Sequence, residues 1–150
     1  MRRIYIDATK CDGCKNCTVA CMQAHRNGEG NLYDLDLTDI QNESRNHIVQ
    51  RKNGTYAPIF CRHCDQPECV MSCMSGALQK DSVTGLVLYD EEKCGSCFMC
   101  VMNCPYGVLK ADTKTKTKVI KCDFCQALGY EPSCVKSCPK QAIYVEEVPL

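Results

Sequence analysis

Apolar positions in this chain come in short runs separated by polar and turn-forming residues. Arg3–Asp7 reads as a strand near the start, and Ala142–Glu146 reads as one near the end. Leu86, Val87 and Leu88 form a third apolar run, directly after Asp81-Ser82-Val83-Thr84-Gly85, whose composition is that of a turn. Ile48–Lys52 and Thr55–Phe60 read as extended on either side of Asn53-Gly54, a strong hairpin signal. Ala111–Ile120 alternates lysine with threonine at Lys114, Lys116 and Lys118 and reads as one solvated face of a hairpin. A sharper reading makes that face a docking surface for an acidic partner.

No run approaches the roughly 20 apolar residues of a helical membrane crossing. Arg2 and Arg3 are followed by no apolar stretch, so they read as a solvated strand end and not as an export signal. The expected compartment is the reducing cytoplasm. Lysine and arginine number 18, as do aspartate and glutamate, and the absence of a basic excess argues against nucleic acid as a partner. Tryptophan is absent and there are only three phenylalanines, so a hydrocarbon core is thin. Cysteine is the anomaly: 16 in 150 residues, a density that belongs to covalent or metal scaffolds. In a reducing compartment metal is the better account.

The cysteines fall into four groups of four. Cys11, Cys14, Cys17 and Cys21 have the spacing C-x₂-C-x₂-C-x₃-C, and so do Cys94, Cys97, Cys100 and Cys104, with Pro105 after them. Cys61, Cys64, Cys69 and Cys73 widen the middle gap to four residues. Cys122, Cys125, Cys134 and Cys138 widen it to eight, with Pro139 after them. The first spacing is that of bacterial ferredoxins. Its first three cysteines wrap a tight loop around one cluster, and the fourth is expected at the start of a short helix that points away. In two-cluster ferredoxins that fourth cysteine ligates the neighbouring cluster, so the motifs work in pairs. Zinc sites close with a distant second pair or with histidines, and disulfide scaffolds need an oxidising compartment; neither accounts for this spacing.

Motif, strand, turn, strand, motif is the layout of a complete two-cluster unit, which pairs the second motif with the third and leaves the outer two for each other. The expected ligand sets are Cys61, Cys64, Cys69 and Cys104; Cys94, Cys97, Cys100 and Cys73; Cys11, Cys14, Cys17 and Cys138; and Cys122, Cys125, Cys134 and Cys21. Four 4Fe–4S clusters use every cysteine. The expected fold is α+β, two tandem bacterial-ferredoxin-like lobes of short antiparallel strands and short helices, with motifs 2 and 3 nested inside motifs 1 and 4. Residues 1–26 plus 111–150 make one lobe, residues 56–110 the other, and residues 27–55 a polar insertion carrying a hairpin. His25, His47 and His63 read as surface or structural residues, with His63 placed to hydrogen-bond a cluster sulfur. Lys15, Arg62, Lys93, Lys121 and Lys136 lie near ligands, and solvated surface is their commoner fate. Tyr5, Tyr56, Phe60 and Tyr106 read as shields against water.

At its sixteen cysteines the chain resembles the four-cluster ferredoxin-like subunit family, whose members serve molybdenum and tungsten oxidoreductases, formate hydrogenlyase and nickel carbon monoxide dehydrogenase. The resemblance runs from Tyr5 to Val145, and is carried by Cys-Arg-His-Cys-Asp-Gln-Pro-Glu-Cys from Cys61, Cys-Met-Ser-Gly-Ala-Leu from Cys73 and Cys-Pro-Tyr-Gly-Val-Leu-Lys-Ala-Asp from Cys104. The segment Asn42–His47 is most similar to the iron–sulfur subunit of carbon monoxide dehydrogenase. Methionine follows the fourth cysteine at Met22 and Met74, where single-domain ferredoxins often have proline. The resemblance implies a roughly linear wire of clusters docked beside a catalytic subunit, in a short adaptor without a membrane anchor, in anaerobic metabolism. The expected function is a one-electron relay, with no catalytic residue of its own. It would run between nickel–iron carbon monoxide dehydrogenase and a second redox protein: a hydrogenase, a flavin oxidoreductase or a ferredoxin. The rival readings are the small subunit of a tungsten or molybdenum aldehyde oxidoreductase or formate dehydrogenase, and a zinc-bound interaction module.

Overall fold

The computed structural model describes residues 1–26, 28–39, 42–112 and 114–149. It is a small α+β structure of two-stranded antiparallel ribbons and short helices. The strands are β1 (Arg2–Ile6), β2 (His47–Gln50), β3 (Tyr56–Ile59), β4 (Leu78–Lys80), β5 (Val87–Tyr89), β6 (Lys110–Ala111), β7 (Val119–Ile120) and β8 (Ile143–Glu147). The helices are α1 (Asn16–Ala24), α2 (Glu68–Met71), α3 (Met99–Met102) and α4 (Ser133–Lys136).

The two ends of the chain meet. β1 pairs antiparallel with β8, with Ile4 opposite Val145 and Ile6 opposite Ile143. Alternation puts Ile4 and Ile143 into the interior, and the Met1 amine closes the ribbon by donating to the Val148 carbonyl at 2.6 Å. The expected strands Arg3–Asp7 and Ala142–Glu146 are therefore present, each offset by one residue, and they lie side by side.

β4 and β5 pair across the Asp81–Gly85 turn. The Asp81 carboxylate fastens that turn, accepting from the Val83 amide at 3.2 Å, the Thr84 amide at 3.0 Å and the Thr84 hydroxyl. The Thr84 hydrogen bond holds the Asp81 carboxyl below its ordinary pKa. Asp112 repeats the device between β6 and β7, accepting from the Lys114 amide at 2.9 Å and from the Thr115 hydroxyl. Lys114, Lys116 and Lys118 are exposed there, as a solvated hairpin face requires.

β2 pairs with β3, but Asn53-Gly54 is not a two-residue turn. The Gly54 amide donates to the Arg51 carbonyl at 3.0 Å, and Gly54 takes φ +81°. That is a type I turn closed by a left-handed glycine, which ends the strands earlier than a tight Asn-Gly turn would.

Two apolar groups fill the interior. Ile4, Phe60, Leu86, Phe124 and Ile143 pack with Cys17 and Cys134. Leu78, Val87, Val108, Leu109 and Val119 pack with Cys61 and Cys100. Sulfur thus takes core positions that larger hydrocarbon side chains would otherwise fill. Among the described residues no helix is long and apolar enough to cross a membrane.

Ile143 is 3% exposed, so Ile143→Ala should lower the unfolding free energy by about 2–4 kcal/mol through lost burial and an unfilled cavity. Val83, 79% exposed in the β4–β5 turn, should tolerate alanine within about 0.5 kcal/mol. Anaerobic guanidinium denaturation of the two variants beside the parent checks both.

Candidate iron–sulfur centres

Each motif is a loop that turns into a helix. The residue two after the first cysteine is left-handed in all four loops: Gly13 (φ +77°), His63 (+45°), Ser96 (+55°) and Phe124 (+60°). Left-handed residues among right-handed ones rotate successive amide N–H groups toward the inside of the loop, forming an anion-binding nest. At Gly13 side-chain space also matters, because a Cβ there would stand 2.5 Å from the Tyr56 ring.

The helices hold the third cysteine of each motif. Cys17 and Cys21 both lie on α1, whereas Cys69, Cys100 and Cys134 lie on α2, α3 and α4, with Cys73, Cys104 and Cys138 just beyond their ends. The expectation that the fourth cysteine opens a helix is therefore not met: it lies within or just beyond the helix that the third cysteine occupies. It follows the third by four residues, one helical turn, so both sulfurs leave on related faces. Pro67 and Pro132 precede α2 and α4, where a missing N–H costs nothing because the first turn has no partner for it.

Helix packing brings distant cysteines together. α1 lies against α4, and α2 against α3. Cys11, Cys14 and Cys17 line one small cavity with Cys138. Cys61, Cys64 and Cys69 line a second with Cys104, and Cys94, Cys97 and Cys100 line a third with Cys73. Cys122, Cys21 and Cys125 lie close enough to Cys134 that a charge on any of them would help raise its pKa. All sixteen are free thiols.

The donor set fits iron–sulfur clusters. Burial pushes the Cys17 and Cys69 thiols up to about 11 and raises Cys122 and Cys134 further still. Thiols gathered in such places are poor anions alone and become good ligands when a cation offsets the burial. Backbone amides already point at sulfur: Arg45 N–H to Cys21 Sγ at 3.3 Å, Phe124 N–H to Cys122 Sγ at 3.4 Å, and Ala142 N–H to Cys138 Sγ at 3.3 Å.

The polar insertion contributes more than its composition suggests. Asn46, 2% exposed, donates from Nδ2 to the Cys17 carbonyl at 3.3 Å and accepts from the Thr18 hydroxyl at 3.1 Å. Ser44 is buried and donates to the Asn46 carbonyl at 2.5 Å. Arg45 reaches Asp123 at 2.9 Å, and Asp123 also holds His25 Nε2 at 3.0 Å. Burial opposes charge on His25, but its hydrogen bonds to Asp123 and Cys21 together outweigh it and lift its pKa to about 10. The same ring's Nδ1 lies 2.8 Å from the Cys21 carbonyl, so His25 ties α1 to the fourth motif. Apart from the length of the segment, nothing in the sequence of residues 43–46 signals this burial.

The other singled-out residues divide. His47 opens β2. His63 is 2% exposed, accepts the Val87 amide on Nδ1 at 3.0 Å, and leaves Nε2 without a protein partner. Lys15 is exposed, Lys93 pairs with Asp90 and Lys136 with Glu131, as solvated lysines do. Lys121 departs from that expectation, being 5% exposed. Phe60 is buried and Tyr56 covers Gly13, but Tyr106 is 46% exposed beneath the Arg62 guanidinium and shields little. Tyr5 stacks on Tyr144 across the terminal ribbon at 6.1 Å.

Residues 52–148 match the family described as a 4Fe-4S dicluster domain. The chain is 36% identical over 146 residues to the B subunit of anaerobic dimethyl sulfoxide reductase of Escherichia coli K12, covering 93% of this chain and 70% of the relative. It is 30% identical over 159 residues to the electron transport protein HydN of the same strain, covering 95% and 86%. It is 36% identical over 140 residues to the beta subunit of NADH-dependent phenylglyoxylate dehydrogenase of Aromatoleum evansii, of which it spans only 29%. A benzoyl coenzyme A reductase BamBC complex shares the fold at a TM-score of 0.50 and 24% identity, over 97% of this chain and 79% of that one. These relatives carry the resemblance at the level of the family and not of carbon monoxide dehydrogenase. With its cysteines, its loops and these relatives taken together, the chain belongs to the 4Fe–4S dicluster ferredoxin-like family, as an iron–sulfur electron-transfer protein and not a catalyst.

Proposed function

We propose that the sixteen cysteines hold four 4Fe–4S clusters in the crossed sets expected from the sequence, and that the chain relays single electrons between two redox partners. The observation that carries this reading is the convergence of sulfurs: three lining cavities each combine three cysteines of one motif with one of another. When bound, the clusters supply one-electron oxidation and reduction. The protein's part is to supply thiolates, to aim amide N–H groups at sulfur and to exclude water, which together fix each site's potential.

The order of the sites follows from their neighbours. Cys17 and Cys134 pack in one apolar group, and Cys122 packs against the group that holds Cys61, so the fourth set lies beside the first and also beside the second. The third set shares the α2–α3 contact with the second. The path then runs from Cys11, Cys14, Cys17 and Cys138, through the set with Cys21, Cys122, Cys125 and Cys134, to Cys61, Cys64, Cys69 and Cys104, and on to Cys73, Cys94, Cys97 and Cys100. Cys14 and Cys97, at its two ends, are exposed, which suits entry at one end and exit at the other. This order would suit two nested lobes, residues 1–26 with 111–150 around residues 56–110, with residues 27–55 as an insertion whose Ser44, Arg45 and Asn46 hold the first and fourth motifs.

The partner is an oxidoreductase. Asn42–His47 favours nickel–iron carbon monoxide dehydrogenase, with a hydrogenase, flavin oxidoreductase or ferredoxin as second acceptor. The relatives above support other oxidoreductases in the same place, among them a dimethyl sulfoxide reductase. Capture of the tagged chain from an anaerobic extract should bring down a nickel protein in the first case. Molybdenum or tungsten in the captured complex would overturn that choice of partner.

Anaerobically purified chain should contain about sixteen iron and sixteen sulfide, four of each per cluster. A colourless chain loaded with zinc instead would end the electron-transfer reading. Cys21→Ser should cost about four iron, removing the cluster assigned to Cys122, Cys125 and Cys134 while leaving the signals of the second and third motifs' sets in place. Electron paramagnetic resonance of the reduced variant reads the difference, and damage to the middle pair instead would break the crossed assignment.

A further inference from the structure

Three of the four motifs place a lysine directly before their first cysteine: Lys10, Lys93 and Lys121. In two of them an aspartate stands three residues before the lysine, and the ammonium closes on it. Lys10 lies 3.4 Å from Asp7, and Lys93 lies 2.7 Å from Asp90. Both lysines are exposed. In the fourth motif the corresponding position is Lys118, which pairs with Glu91 instead.

Lys121, with no aspartate to hold it outside, turns inward. It is 5% exposed, and its Nζ donates to the Val87 carbonyl at 2.6 Å and the Cys122 carbonyl at 2.7 Å. Among the described residues it forms no ion pair with a carboxylate. A buried ammonium satisfied by carbonyls alone is costly unless an anion lies nearby. Val87 lines the cavity shared by Cys61, Cys64, Cys69 and Cys104, so the ammonium stands directly behind that site's wall, where ligated thiolates would supply the anion.

A second lysine shows the same pattern from the other side. Lys80 Nζ donates to the carbonyls of His63 at 2.9 Å, Cys64 at 2.7 Å and Gly85 at 2.6 Å, again without an ion-paired carboxylate, and its charge acts on Cys64. Between the two lysines sits His63. Its Nδ1 accepts the Val87 amide, which places the proton on Nε2, and that N–H has no protein partner. Two cations and a buried donor thus converge on the loop Cys61–Cys64.

We propose that Lys121, seconded by Lys80, is the built-in countercharge of the cluster held by Cys61, Cys64, Cys69 and Cys104, and makes that site the most readily reduced in the chain. The inference rests on the cluster-binding reading above. Reduction adds one electron from the donor and one negative charge to the site, with no bond made or broken. A fixed buried cation stabilises the more negative state, whereas Lys10 and Lys93 are offset by their aspartates and screened by water. The chain then holds its electron in the interior, one site removed from the exposed end at Cys97.

Redox titration of the anaerobic holoprotein, followed by electron paramagnetic resonance, tests this. One cluster should reduce ahead of the others, and it should be the one that Cys69→Ser removes. Lys121→Met should lower the equilibrium constant for its reduction at least tenfold, a negative shift of about 59 mV for one electron. Lys121→Arg should keep it within about threefold and Lys93→Met within about twofold, both well inside that shift. Equal shifts in Lys121→Met and Lys93→Met, or a shift spread evenly over all clusters, would overturn the proposal. Iron analysis shows whether Lys121→Met still loads its clusters. If it does not, Lys80→Met reads the same cluster, and no negative shift there is equally decisive. Parent chain without iron would instead remove the cluster-binding reading on which this one stands.

Discussion

In the proposed crossed sets, four sulfurs drawn from two distant segments have to meet at one point, and that requirement would govern the packing of the chain. A cysteine one helical turn after its neighbour would then serve another loop, and helices would have to pack in pairs for it to reach that loop. α1 against α4 and α2 against α3 are those pairs. The ribbons follow from them. β1 and β8 fasten the outer pair at its ends, and β4 and β5 fasten the inner pair through a turn of five residues. Short strands and short helices suffice because cysteine occupies core positions in both apolar groups.

Much of this was legible beforehand, and for physical reasons. The terminal strands and the Asp81–Gly85 turn rest on local chemistry: alternation at Ile4 and Ile143, and an aspartate whose carboxylate caps its own turn. Such signals need no knowledge of the rest of the chain. The spacing suggested four cysteine sets, and the packed helices bring the members of three of them into shared cavity linings. The helix positions were harder. A four-residue helix such as α3 has too few residues for a periodic pattern, so only the left-handed Phe98 before it marks the start, and backbone handedness is invisible in a list of residues.

Buried polar residues were the other blind spot. Ser44 and Asn46 look like surface, and so does Lys121, because composition scores a side chain by its own chemistry and not by the partners waiting for it. Asn46 is buried because the Cys17 carbonyl and the Thr18 hydroxyl take up its amide. Half-buried Asp123 joins His25 to Arg45, which carries the amide aimed at Cys21. Residues 44–46 therefore bind the first and fourth motifs, and their polar groups hold one another in place.

Repetition makes the differences between the motifs informative. All four loops share a left-handed second residue, so the nest for the sulfurs is common property. What varies lies just outside the loop: an aspartate–lysine pair before the first and third motifs, a phenylalanine before the second, and a lysine with no matching aspartate before the fourth. A paired, exposed charge leaves a site's field nearly as water would set it, whereas a buried unpaired one does not. Charge asymmetry of this kind adds to the differences in loop length and helix length, and it would decide at which of the proposed sites an electron rests.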